Sequence, residues 1–136
     1  MNINAYLNFN GQCEEAFNVY AKVLGGTIQA LIRFDEAPEG GQMPPETAKQ
    51  IMHVMMTVGQ NALMGSDAPP PYFEKPQGMH VALHLDTAEE ADRVFAALSD
   101  GGKITAPIGE TSWAIRFGML VDRFGTPWII NHAKPM

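Results

Sequence analysis

The sequence is short of three things, and each shortage narrows what the chain can do. It has one cysteine, Cys13, so no disulfide can form within the chain. Lys and Arg together number 9 against 15 Asp and Glu, a formal net charge of −6. Those few basic residues are scattered. A nucleic-acid binder needs a basic stripe that replaces counterions along the phosphates, and none is present. The same scarcity argues against an anionic membrane surface. No apolar run approaches the roughly 20 residues that span a bilayer. The start, Met1-Asn2-Ile3-Asn4-Ala5-Tyr6, lacks the basic and long apolar segments of a signal peptide. These absences lead us to expect a cytoplasmic protein whose partner is a small molecule, not nucleic acid and not a membrane.

What is present suits a folded domain: 136 residues, 46% of them hydrophobic. Ile3 to Phe9 reads as a strand broken by Asn10-Gly11. A helix is expected from about Gln12 to Leu24, with Cys13, Ala16, Phe17, Tyr20, Ala21 and Leu24 at the spacing of one buried face. Gly25-Gly26 stops it, and Thr27 to Phe34 is a second strand. Residues 35–49 carry Pro38, Gly40, Gly41, Pro44 and Pro45 and read as a mobile loop. Ile51 to Val58, the turn Gly59-Gln60-Asn61 and a strand opening at Ala62 form a hairpin. Asp67 to Gln77, with Pro69-Pro70-Pro71 and Pro76, is extended.

The second half repeats this grammar. Met79 to Leu85 is a strand, and Thr87 with Glu90 forms a capping box before a helix with Ala88, Ala91, Val94, Phe95 and Leu98 inward. Strands follow at Lys103 to Ile108, Ala114 to Val121 and Thr126 to Asn131. Shifted by 75 positions, Glu14, Glu15, Ala16, Val19, Tyr20, Val23 and Gly26 fall on Glu89, Glu90, Ala91, Val94, Phe95, Leu98 and Gly101. Seven matches in one helix indicate internal duplication. The expected fold class is α+β: two tandem β-α-β-β-β modules whose curved mixed sheets surround a cleft, in a single domain. Module one is 1–67, the linker 68–77 and module two 78–132.

This plan resembles the vicinal-oxygen-chelate superfamily, which includes glyoxalase I, extradiol dioxygenases and bleomycin-resistance proteins. Tyr6-Leu7-Asn8-Phe9-Asn10-Gly11 leading to Glu15-Ala16-Phe17 is similar to the start of its PhnB-like group. So are Met64-Gly65-Ser66-Asp67, Glu110-Thr111-Ser112-Trp113-Ala114 and, most specifically, Asp122-Arg123-Phe124-Gly125-Thr126-Pro127-Trp128-Ile129-Ile130-Asn131. Members are often labelled 3-demethylubiquinone 3-methyltransferase-like. No glycine-rich strand-to-helix turn or parallel-sheet pattern suggests a nucleotide-type methyl donor. In metal-dependent members of the superfamily, His or Glu side chains on the first and last strands of each module hold a divalent ion. The resemblance puts Ala5, Met64, His80 and Ile129 there. Only His80 is a ligand type, and a catalytic ion needs about three protein ligands. No cofactor is therefore expected, and the case for a divalent metal is weak. The resemblance also implies a homodimer.

Strand alternation sorts the candidate side chains. His80, Ala82 and His84 share one face, opposite the apolar Met79, Val81, Leu83 and Leu85. His53 is expected to share a face with Ile51, Met55 and Thr57, and Arg116 with Ala114, Gly118 and Leu120. A shift of 63 places His53 on Arg116, so the two modules are expected to aim polar groups at equivalent places. The histidines supply acid or base chemistry near neutral pH, and Arg116 supplies a bidentate anion contact. Ser66, Trp113 and Trp128 complete the ligand-binding set. Against this, barrel interiors are usually just filled, Arg116 has carboxylates to pair with, and the tryptophans suit packing better than a pocket wall. Cys13, on the buried helix face, reads as structural. Met52, Met55, Met56, Met64, Met79 and Met119 suggest an adaptable apolar lining, with plain core filling the commoner use.

Three functional readings result. The first is a small-molecule-binding PhnB-like protein, with or without a reaction, lacking the usual metal centre. The second is a metal-dependent lyase or dioxygenase using a non-standard set such as His53, His80 and His84. The third is a non-catalytic resistance-type protein that sequesters a toxic compound.

Overall fold

The computed structural model describes residues 1–38, 41 and 43–135. The chain divides into two compact units, Met1–Glu74 and Lys75–Met136. The first holds β1 (Ala5–Phe9), α1 (Cys13–Leu24), β2 (Thr27–Arg33), a 3-10 turn (Phe34–Glu36), α2 (Pro45–Ala48), β3 (Ile51–Val58) and β4 (Asn61–Asp67). Its sheet runs β1-β4-β3-β2, with β1 parallel to β4 and the other pairs antiparallel. The second holds β5 (Val81–His84), α3 (Ala88–Ser99), β6 (Lys103–Gly109), β7 (Ala114–Val121) and β8 (Pro127–Ala133). Its sheet runs β5-β8-β7-β6, again with the first pair parallel. The order is the same in both, so the duplication expected from the helix text extends to the topology.

Some boundaries differ from the expectation, for local reasons. Met79 and His80 precede β5; Met79 is exposed, and Gly78 ahead of it takes a positive φ of 77°. Asp67, read as the first residue of the extended segment 67–77, is the last residue of β4, where it pairs with Phe9 of β1. The expected loop at 35–49 contains α2, which opens with Pro45 at a position where a missing N–H costs nothing. Gly40, expected in that loop, lies outside the described residues. Residues 34–50 separate β2 from β3, while only residues 110–113 separate β6 from β7.

Each helix is set onto its sheet by amphipathic spacing and by a glycine beneath it. α1 buries Cys13, Ala16, Phe17 and Tyr20, and α3 buries Ala91, Val94, Phe95 and Leu98. Gly25 adopts the left-handed conformation that ends α1. Thr87 accepts a bond from Glu90 N at 3.1 Å at the start of α3, while the Glu90 carboxylate pairs with Arg93. A Cβ on Gly65 of β4 would lie 2.7 Å from Phe17 Cε1, and one on Gly118 of β7 would lie 2.5 Å from Phe95 Cε1. The aromatic rings therefore rest on bare backbone.

Asp67 ties the first unit together. Its Oδ1 accepts from Cys13 N at 3.0 Å and its Oδ2 from Ile51 N at 2.9 Å, which joins the starts of α1 and β3 to the end of β4. Burial nevertheless raises its pKa above the ordinary carboxylate range, and those N–H bonds only partly oppose the rise. Cys13 beside it is fully buried. Burial first, then the nearby Asp67 and Glu14 carboxylates, push its thiol far up, so thiolate chemistry is suppressed.

Gly118→Ala should destabilise the fold by about 1–3 kcal/mol, because the new methyl meets Phe95 on one side and the Ile108 backbone on the other. Urea unfolding checks this, and an unchanged midpoint would contradict the seating. Asp67 also gives a pH signature. A carboxyl that holds its proton more tightly when folded contributes stability in acid that is lost as pH rises. The stability of the wild type minus that of Asp67→Asn should fall as pH climbs from about 4 through the raised pKa. A flat or rising difference would show that Asp67 is not shifted upward.

Candidate functional site

The strand registers define two faces on each sheet. On the first sheet Val54 pairs with Gly65, which lies under Phe17, so Val54, Met56, Leu63 and Gly65 face α1. Tyr6, Asn8, His53, Met55, Thr57, Met64 and Ser66 occupy the helix-free face. On the second sheet Gly118 lies under Phe95, so Arg116, Gly118, Leu120, Trp128 and Ile130 face α3. The helix-free face carries Ala82, His84, Phe117, Met119, Ile129 and Asn131.

Several candidates gather on these open faces. In the first unit Tyr6 Oη lies 3.0 Å from His53 Nδ1, and the two rings stack with centroids 5.7 Å apart. Ser66 Oγ donates to Asn8 Oδ1 at 3.3 Å. In the second unit Asn131 Nδ2 donates to His84 Nδ1 at 3.2 Å. Trp113 is 56% exposed and packs edge-on against Phe117, centroids 5.3 Å apart. His80 is exposed and stands just outside β5. Met55, Met64 and Met119 line open faces, whereas Met56 is core.

Two candidates lie elsewhere. Arg116 faces α3, where its Nε donates to Asp92 Oδ1 at 3.0 Å and its Nη1 to the Ile115 carbonyl. It is not the counterpart of His53. The shift of 63 aligns the ends of β3 and β7 but inverts their faces; Val54 and Gly118 face their helices, so His53 corresponds to Phe117. Bulges also move two neighbours. Met52 is an extra residue opposite β2, so Ile51 turns to the helix side while His53 does not. Ile115 is extra opposite β8, which separates Ala114 from the Arg116 face. Trp128 is fully buried, and its Nε1 donates to Asp122 Oδ2 at 2.8 Å. It is a core residue that anchors the β7–β8 turn.

The correspondence that does hold is between polar pairs. Asn8 pairs in register with Ser66, and His84 with Asn131, each at the C-terminal end of the parallel strand pair. Asn8 and Asn131 were not singled out in the sequence. The signal was available, because Asn8 and His84 sit at like places in the two first strands, but it needed the register to be read.

The positions that hold a metal in the superfamily can now be tested. Ala5 pairs with Leu63 and so faces the helix; Tyr6 is the residue beside Met64 on the open face. In the second unit Ala82 stands beside Ile129. Of the four positions the resemblance marks, Ala5, Met64 and Ile129 carry no imidazole, thiolate or carboxylate and His80 stands just outside β5, so the set does not fit a divalent ion. Among the described residues, no group of three His, Cys, Asp or Glu side chains is placed to hold one.

Tandem four-stranded mixed sheets, each with one helix on one face, make the fold of the glyoxalase/bleomycin resistance/dioxygenase proteins. Within that class the chain belongs to the 3-demethylubiquinone-9 3-methyltransferase family, whose pattern it matches over residues 1–131. It is 34% identical to protein YjdN of Escherichia coli strain K12, covering 98% of this chain and 97% of that one. A crystal structure of protein PA1353 from Pseudomonas aeruginosa superposes with a TM-score of 0.89 at 43% identity, covering 97% of both chains. A PhnB protein from Bacillus cereus superposes at 0.78 with 28% identity, covering 98% of this chain and 100% of that one. No helix among the described residues is long and apolar enough to cross a membrane.

Arg116→Ala should cost less than about 1 kcal/mol, because a half-exposed ion pair contributes little. It should also leave small-molecule affinity unchanged. Loss of affinity at unchanged stability, read by thermal shift and calorimetry, would return Arg116 to the site.

Proposed function

We propose that this chain is a small-molecule-binding protein that holds its ligand on the helix-free sheet faces and uses no divalent ion at the superfamily's ligand positions. One observation carries the reading. Those faces keep hydrogen-bonding and aromatic groups, while of the four positions the resemblance marks for a metal, Ala5, Met64, His80 and Ile129, only His80 is a ligand type. The Tyr6 phenol and the His53 imidazole, already 3.0 Å apart, offer a donor and an acceptor to an oxygen-rich ligand. Methionines 55, 64 and 119 supply apolar contact that adapts to shape. The family's label speaks of methyl transfer. The mixed sheets here, with no glycine-rich strand-to-helix turn, give a nucleotide-type methyl donor no customary seat, so we favour binding over that reaction. We further propose that the protein works as a cytoplasmic homodimer, as the family resemblance implies.

A thermal-shift screen of small molecules on untagged protein, with elemental analysis, tests this. Stabilising hits should persist after chelation, and bound metal should be well below one ion per chain. A stoichiometric ion whose removal abolishes binding would overturn the reading. Tyr6→Phe should weaken hits that lie in the first unit by about 2- to 10-fold, the usual worth of one hydrogen bond.

A further inference from the structure

Asn131 is 8% exposed, and its Oδ1 is the buried side-chain polar atom without a hydrogen-bond partner among the described residues. Its other end, Nδ2, is held by the exposed ring of His84. A buried carbonyl left unpaired is costly, and each such atom in a folded protein calls for an explanation. Beside it on the same face stand Phe117, its cross-strand neighbour, and then Trp113, whose ring is more than half exposed. The row therefore runs from an open aromatic plate to an amide with one free end.

Building on the reading that the helix-free faces bind small molecules, we propose that the Asn131 carboxamide is the recognition group of the second unit. Its ligand is a planar heterocycle that presents an N–H donor next to a carbonyl acceptor. Such an edge matches a carboxamide atom for atom: the ligand N–H donates to Asn131 Oδ1, and the ligand carbonyl accepts from Nδ2. To take the second bond the ligand displaces His84, whose exposed ring is free to swing outward. The exchange replaces a half-satisfied amide with a fully satisfied one. The heterocycle's face packs toward Phe117 and Trp113, where offset or edge contacts add affinity. His84 thus competes with the ligand and is not its anchor.

The probe is 2-pyridone, compared with N-methyl-2-pyridone, which keeps the ring and carbonyl but lacks the donor. Titrated into labelled protein, 2-pyridone should shift the Asn131 side-chain amide resonances to saturation. It should also quench Trp113, a signal that Trp113→Phe removes and that buried Trp128 does not supply. The N-methyl compound should bind about tenfold more weakly. Asn131→Leu should abolish binding. His84→Ala should bind 2-pyridone several-fold more tightly than the wild type, an effect that a merely structural histidine would not produce. Should Asn131→Leu not fold, His84→Ala decides alone. Equal affinity for the two pyridones, or no tightening in His84→Ala, would overturn the proposal. Screen hits that bind but leave the Asn131 amide unmoved would sink this inference and spare the general binding reading; a protein that binds no small molecule would sink both.

Discussion

Both sheets depend on an aromatic ring lying against a glycine. Phe17 rests over Gly65 and Phe95 over Gly118, at separations no Cβ would tolerate. Close packing of this kind carries much of a small unit's apolar burial, because side chains in a core meet at crystal-like density. It also assigns the faces. Once the glycine marks which side the helix covers, alternation fixes every other side chain on its strand. His53 and Asn131 face away from the helices for that reason alone, while Arg116 and Trp128 turn toward α3.

A second layer of constraint is polar. Asp67 gathers the first turn of α1 and the first residue of β3 by accepting their N–H groups, and burial makes its charge expensive. Arg33 meets Glu14 through both guanidinium nitrogens at 2.9 Å and also reaches the Lys49 carbonyl, so the end of β2 is fastened to the helix and to the segment before β3. That pairing holds the Glu14 carboxyl below its usual range. In the second unit Asp122 serves the β7–β8 turn, accepting from Phe124 N, Thr126 N and the Trp128 indole. These carboxylates organise chain reversals, and among the described residues no three His, Cys, Asp or Glu side chains gather to hold a metal.

The two long helices, the succession of strands along the chain and the duplication are legible in the sequence because they rest on local periodicity and on stop signals such as Gly25. β3 and β7 were placed at their observed ends. Faces were harder. A one-residue offset between the units, with Val54 and Gly118 each facing its helix, sets His53 and Arg116 on opposite faces, and bulges at Met52 and Ile115 move their neighbours. A bulge adds one residue to one strand and leaves no mark in composition. Trp128 was ambiguous for a different cause. An indole is equally at home in a core or on a ligand, and here full burial and the bond to Asp122 seat it in the core. Asn131 is not legible in the sequence, because its distinction is a side-chain oxygen without a partner among the described residues, which no residue type announces.

The unequal connections between the central strands carry a consequence for how the two halves can diverge. Residues 34–50 link β2 to β3, whereas 110–113 suffice for the same step in the second unit. Lengthening a surface connection raises its closure entropy only logarithmically, by about 0.6 kcal/mol per doubling. With Arg33 and Asp67 clamping the strand ends on either side of it, the first unit can accept new sequence there without losing register. The long connection is where the first unit departs most from the plan it shares with the second, at little cost to the strands on either side.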